Sequence, residues 1–377
     1  RLIIYSVVFT KTASKSAPLF CGGNSPPLKS RSKPDSAFSC VFKFTSMAAV
    51  IRARPRHRIT LFQLSDQQII RRYRLSSDAI IHLLDKIKDD LEPLTQRSHS
   101  IPAHVKLLAT LQILASGSFQ TVIASAVGIS QPSLSHILTQ VLNALLRRTQ
   151  YIHFPTTDAK IRRIKEDFFH IANFPNIIGA IDCTHIPILP PSINEHVYRN
   201  RKHTYSMNVQ VICDANMSIT NVVAKFPGSV HDSFIFCHSD GGYPQQPWLM
   251  TPINPTTATQ QNYNHTHVQT RGVIERTFGV LKSRMRCLDR TGGALAYTPE
   301  KVCKIVVACC IVHNIAIRHG IPLEDMEPPE DIAPAEDIAS PPKQYDMAEG
   351  RRLRQEIIGR YFTVRQRAFA AHLFTRS

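Results

Sequence analysis

The sequence predicts an α/β fold of the α+β kind, in which a mixed sheet flanked by helices follows an all-α region built around a helix-turn-helix. Three observations carry this. Residues 176–182, NIIGAID, form a β-branched apolar run with the length of a strand buried on both faces, too short for a core helix. Residues 207–213 and 219–226 alternate apolar with polar positions on either side of the turn Asp214-Ala215-Asn216, which completes a three-stranded antiparallel meander. Residues 119–145 place Ala124, Gly128, Ile129, Ser130, Leu134 and Ile137 at the spacing of two helices that cross at a tight turn.

At 377 residues the chain is long enough for two or three domains, and 43% hydrophobic with 19% charged residues is the composition of a soluble globular protein. The net charge of +17 calls for a polyanionic partner. Nucleic acid is preferred to a membrane surface, because no basic amphipathic anchor accompanies the charge. The nine cysteines are irregularly spaced without a C-x-x-C pair, which excludes a zinc ribbon and a disulfide framework. Reduced thiols point to the nucleus, or to the cytoplasm as well.

Residues 1–46 read as a disordered or artefactual extension, with Met47 as the expected translation start. Residues 47–165 form a helical N-terminal region that begins with the arm Arg52, Arg54, Arg56 and Arg58, either laid along phosphates or simply solvated. Ser65 caps one predicted helix, Ser77 another, and Pro102 opens a third. In the helix-turn-helix, Gly128 makes the turn, Ser130 caps, and Pro132 fits the first turn of the second helix. That helix presents Gln131, Ser133, Ser135 and His136, polar groups able to reach base edges or phosphates; a hairpin that merely packs on its neighbours is the competing reading.

A helix over 157–174 leads into the NIIGAID strand, which delivers Asp182 at its end. An Asp so placed can hold Mg²⁺ or Mn²⁺ if further carboxylates fold back onto it, since hard cations take oxygen ligands on rigid supports. Alternatively it closes a strand before a turn. Arg199, Arg201, Lys202 and His203 form a basic tip between the first two strands, placed to neutralise a phosphodiester or else to be solvated. Asp232 follows in PGSVHD, Asp240 in SDGGYP, and Glu275 in VIERTFGVLKSR, read as the second turn of an amphipathic helix.

GAIDCTH, NRK-x-x-Y-S-M-N-V-Q, PGSVHD, DGGYP-x-x-PWLMTP, VIERTFGVLKSR and ACCIVHN together resemble the PIF/Harbinger transposases and the Harbinger transposase-derived nucleases, a putative nuclease family of the DDE superfamily, over residues 64–320. The resemblance implies an RNase H-like nuclease domain, placed at 166–322, that cuts DNA with an Asp-Asp-Glu triad and two divalent cations, Mg²⁺ or Mn²⁺. By motif, the catalytic and metal-binding residues are Asp182, Asp240 and Glu275, with Asp232 as a lesser metal ligand. It further implies DNA and a Myb-like DNA-binding protein as partners; the charge reading adds no membrane partner, and a homo-oligomer stays open. One departure stands out, because only residues 233–239 separate Asp232 from Asp240 where the family places a helix and a strand. Such a pair needs roughly 15 residues. The shortening predicts a weak or inactive nuclease; the alternative is a DNA-binding or adaptor protein that keeps the scaffold without the chemistry.

Residues 299–319 read as a helix packed on the sheet, with His313 and Asn314 structural. Residues 323–348 read as an acidic linker, and 349–377 as a C-terminal basic helix with Leu353, Ile357, Ile358 and Phe362 on one face.

Overall fold

The computed structural model describes residues 3–6, 64–92, 100–232, 234–235, 249–322 and 348–362. These fall in one compact unit, residues 1–7 with 58–377; a second unit, 8–57, lies outside them, as do the basic arm, Asp240 and nearly all of the acidic linker. No described helix is long and apolar enough to cross a membrane.

The helical half follows its capping chemistry. Helix α1 (Asp66–Tyr73) starts at a capping box, in which Ser65 N donates to Gln68 Oε1 at 2.9 Å and Gln68 N returns the bond to Ser65 Oγ at 3.3 Å. Helix α2 (Ser77–Leu91) is capped by Ser76, and α3 (Ala103–Ser116) follows Pro102 and ends at Gly117. Helix α4 (Gln120–Val127) stops at Gly128, whose φ of 72° is cheap only for glycine, and α5 (Gln131–Leu146) restarts under the Ser130 cap. Helix α6 (Asp158–Ala172) then runs to the sheet. The boundary expected at 165/166 therefore falls inside a helix.

Strands β1 (Ile3–Ser6), β2 (Ile177–Pro187), β3 (Ser206–Cys213), β4 (Ile219–Pro227) and β5 (Leu249–Met250) make one sheet in the order β4-β3-β2-β1-β5. The meander is as the alternation predicts. The mixed sheet is not: every ladder among the described strands is antiparallel, and parallel pairing is confined to the bridge Ile188–Leu295. Within 1–46, read as a disordered or artefactual extension, Ile3–Ser6 is strand β1, and the other residues lie outside the described ones.

Helix α7 (Ala258–Arg284) packs on β2 and β3, and α8 (Pro299–Arg318) on β4 and on α5. His313 and Asn314 on α8 are structural, as expected: His313 Nε2 donates to Met217 O at 2.9 Å, and Asn314 Nδ2 donates to Tyr151 O (2.7 Å) and Ile219 O (2.6 Å). The last helix, α9 (Ala348–Tyr361), buries Ile357, Ile358 and Phe362, with the Phe362 ring 5.4 Å from Phe174 and 5.5 Å from Tyr263. One hydrophobic cluster runs without a break from Ile69 on α1 to Phe362 just past α9, so the helical region and the sheet share a core.

Candidate active site

Asp182 lies in mid-strand, not at a strand end. β2 continues through Cys-Thr-His-Ile-Pro because each of these residues finds a β3 partner, from Cys183 opposite Gln210 to Pro187 opposite Ser206. The Asp182 side chain is buried, and its Oδ1 accepts from Cys183 N at 2.8 Å. Burial pushes its carboxyl up to about 7; Arg271 opposes the shift, and the Asp232 carboxylate adds to it.

Asp232 is delivered by the PGSVHD turn. Gly228 passes so close to the chain that a Cβ there would lie 2.4 Å from Ser206 Oγ and 2.5 Å from Tyr198 O, so only glycine fits. The fully buried Asn208 on β3 then fixes the turn, donating from Nδ2 to Val230 O at 2.9 Å and to Asp232 Oδ1 at 2.8 Å. In the sequence Asn208 stands only as one position of the NRK-x-x-Y-S-M-N-V-Q motif, with no sign of its bond to Asp232.

Glu275 sits near the fifth turn of α7, not the second, because the helix begins at Ala258 under a Thr257–Gln260 capping box. Its Oε1 is 3.0 Å from Arg271 Nε, one turn earlier. Arg271 therefore pairs with Glu275 and also acts on Asp182, whose charged neighbours include Asp232. Arg271 was missed in the sequence, although R-x-x-x-E at helical spacing was the available sign. Asp240 lies outside the described residues, among which no three metal-ligating side chains cluster.

The cations lie beside these acids. Burial holds His185 below the usual histidine range; Asp232 opposes that, while Lys282, Arg201 and Lys202 reinforce it. Lys282, on α7, is itself held below the ordinary lysine range by burial. Arg199, Arg201 and Lys202 are exposed on the tip. Asn200 shapes that tip, its Oδ1 accepting from Lys202 N (3.0 Å) and Thr204 N (3.1 Å) while its Nδ2 donates to Ser206 Oγ at 3.0 Å. Ser206 Oγ in turn lies 2.9 Å from His185 Nδ1, so the tip is tied to β2 two strand positions from Cys183.

On α5, far along the chain from these acids, Gln131 and His136 are exposed and Ser133 and Ser135 half-buried. Gln131 Nε2 donates to Gln120 Oε1 at 3.0 Å, and Ser133 N to Ser130 Oγ at 3.3 Å. Ser135 offers its backbone carbonyl to Thr139 Oγ1 at 3.1 Å.

An antiparallel meander with a buried Asp on its first strand and a Glu on a helix packed across it defines the class. The family model for the DDE superfamily endonucleases, whose domain is RNase H-like, matches residues 181–240 and 237–314, two segments that meet where the sequence is short. Over 278 residues, 68% of this chain and 80% of the relative, the chain is 36% identical to the proteins named "Putative nuclease HARBI1" from Bos taurus and Homo sapiens. It is 26% identical to the Arabidopsis thaliana "Protein ALP1-like" over 56% of this chain and 59% of that protein. The chain belongs to the HARBI1 family of Harbinger transposase-derived nucleases. No solved structure matches it.

Proposed function

We propose that the chain is a divalent-metal-dependent DNA endonuclease that hydrolyses phosphodiester bonds at the acids Asp182 and Glu275, completed by Asp240 and assisted by Asp232. The observation that carries this reading is the buried Asp182 on β2, with Asp232 set by Asn208 on the neighbouring strand, in a chain of the HARBI1 family. A buried carboxylate without a full counter-charge is costly, and a hard cation supplies that charge through oxygen donors. Asp182 and Asp232 offer oxygen donors of the kind Mg²⁺ or Mn²⁺ takes, and the remaining ligands would have to come from Asp240 and from Glu275, which among the described residues does not cluster with the other two as a metal-holding group. When bound, such an ion supplies an activated water and neutralises charge on the leaving oxygen.

The chain's own groups do the rest. Asn208 orients Asp232 by donating to Oδ1, and the Cys183 amide orients Asp182. Arg271 holds Glu275 in place. The tip cations Arg199, Arg201 and Lys202 bind the DNA backbone, and Gln131, Ser133, Ser135 and His136 on α5 contact duplex in a groove. We place the protein in the nucleus, where its DNA is.

The test is nicking of supercoiled plasmid with and without Mg²⁺ by the chain and by Asp182→Asn. Cleavage that requires Mg²⁺ and vanishes in the variant supports the reading; cleavage that survives Asp182→Asn sinks it. Because of the short junction before Asp240, turnover is expected to be slow, since misplacement of a catalytic group by ~1 Å can cost about a hundredfold. Lengthening the junction with the helix and strand of a relative should raise the rate.

A further inference from the structure

Strand β2 is paired with β3 along one edge from Ala180 to Pro187, and its other edge is taken near its start by β1. Ile3 lies opposite Ile181, Ile4 opposite Ala180 and Tyr5 opposite Gly179, with a register shift before Ser6, which lies opposite Ile177. The far side of β1 meets only the two-residue β5. With β1 in place Ile177, Ile178 and Ala180 are fully buried, and withdrawing β1 would uncover an edge of unpaired backbone groups of the kind that accepts another strand. The strand they have is four residues long, against ~5–6 for an ordinary one, and residues 7–63 separate it from α1. A ladder of four residues with a register shift before its last one is weakly paired.

We propose that the outer edge of β2 is a strand-accepting slot, filled in this chain by Ile3–Ser6, which takes an uncharged, apolar extended segment by β-augmentation whenever that strand is withdrawn. The chemistry of the occupant follows from the walls. Ile178 and Ile181 on β2 belong to an apolar cluster with Ile212 and Leu249. The position after the last paired residue is Asp182, already beside Asp232, so a carboxylate in the slot would meet two others. The proposal does not depend on the nuclease reading, since it concerns backbone pairing alone.

The experiment compares the full chain with its Ile4→Pro variant, whose proline removes a ladder N–H. Amide hydrogen exchange is followed at residues 177–181 and in β3, together with binding of a fluorescein-labelled peptide of residues 1–10. In Ile4→Pro the amides of 177–181 that face β1 should exchange about tenfold faster or more, with β3 unchanged. The labelled peptide should bind the variant and not the parent chain, and a peptide with proline at its fourth position should bind neither. Unchanged protection at 177–181, or a peptide that does not bind the variant, would overturn the proposal. So would a loss of protection that extends through β3, because β1 would then be an obligate part of the core.

Discussion

Arg271 and Glu275 stand one turn apart on α7 with Nε and Oε1 at 3.0 Å, and the same guanidinium lowers the proton affinity of Asp182 across the helix–sheet interface. One cation thus serves two of the acids. The pair is partly exposed, at 23% and 42% for the two side chains, and such i,i+4 pairs are worth only about 0.3–0.5 kcal/mol. Arg271→Gln is therefore expected to cost less than ~1 kcal/mol in urea unfolding. A loss several times larger would show that Arg271 carries more of the fold than its ion pair.

Asp182→Asn should stabilise the metal-free protein at pH 8. Its folded pKa, about 7, lies above the ordinary 3.8, so the native state binds a proton that the unfolded chain has already released. The associated stability is full below pH 3.8 and is lost as pH rises toward 7, at about 1.4 kcal/mol per unit pH. Asparagine has no such loss. Thermal melts at pH 4 and pH 8 should show a gain for the variant confined to the higher pH, and an equal gain at both would refute it.

Acid should unfold the protein through two buried histidines. Burial pushes both His267 and His313 down to about 4, and each donates a single hydrogen bond, to Met250 O and Met217 O respectively. Unfolded histidine titrates near 6.5, so between pH 6.5 and 4 the unfolded state takes up protons that the native state refuses. Each residue then removes about 1.4 kcal/mol per unit pH as the pH falls. His313→Gln should flatten that slope by roughly one proton, read from urea midpoints across the interval.

Asn314→Ala should be among the most damaging single substitutions. The amide bonds Tyr151 O, Ile219 O and Ile219 N (2.8 Å), all in fully buried surroundings, and alanine leaves three backbone groups without partners. At about 1–3 kcal/mol for each unsatisfied group, a loss of roughly 3 kcal/mol or more is expected. Equilibrium unfolding that shifts by less than ~1 kcal/mol would mean that water enters and replaces the amide.

The tip should carry salt-dependent DNA affinity. Neutralising Arg201 and Lys202, both exposed, is expected to reduce the slope of log affinity against log salt by about 0.9 for each lost phosphate contact, with little effect on sequence preference. Electrophoretic mobility shifts at several salt concentrations read this directly, and an unchanged slope would remove the tip from the interface.

Where local chemistry decides the structure, the sequence was legible. Ser65, Ser130 and Gly128 sit where capping and turn rules put them, and the period-2 strands β3 and β4 came out within a residue. What was not legible depends on partners distant in the chain. Cys-Thr-His-Ile-Pro has no apolar run of its own and becomes strand only because β3 lies beside it. Helix α7 starts early through TQQNYNHTHVQT, a polar stretch without a clear stripe, so its first three turns were hidden and Glu275 was placed in the second turn in place of the fifth. Asn208 reads as an ordinary strand residue until the PGSVHD turn folds over it.

The unbroken core beneath α5 bears on how this molecule can be re-engineered. Lys304 on α8 donates to Asn143 on α5 at 3.1 Å, Gln120 at the start of α4 donates to Tyr297 OH at 2.8 Å, and the apolar cluster crosses the same seam. The helical region is therefore not a detachable module. Replacing it with an unrelated helical domain would strip a wall from the sheet's own support, so any redesign of this half has to exchange side chains on the outer face of α5 while its inner face stays untouched.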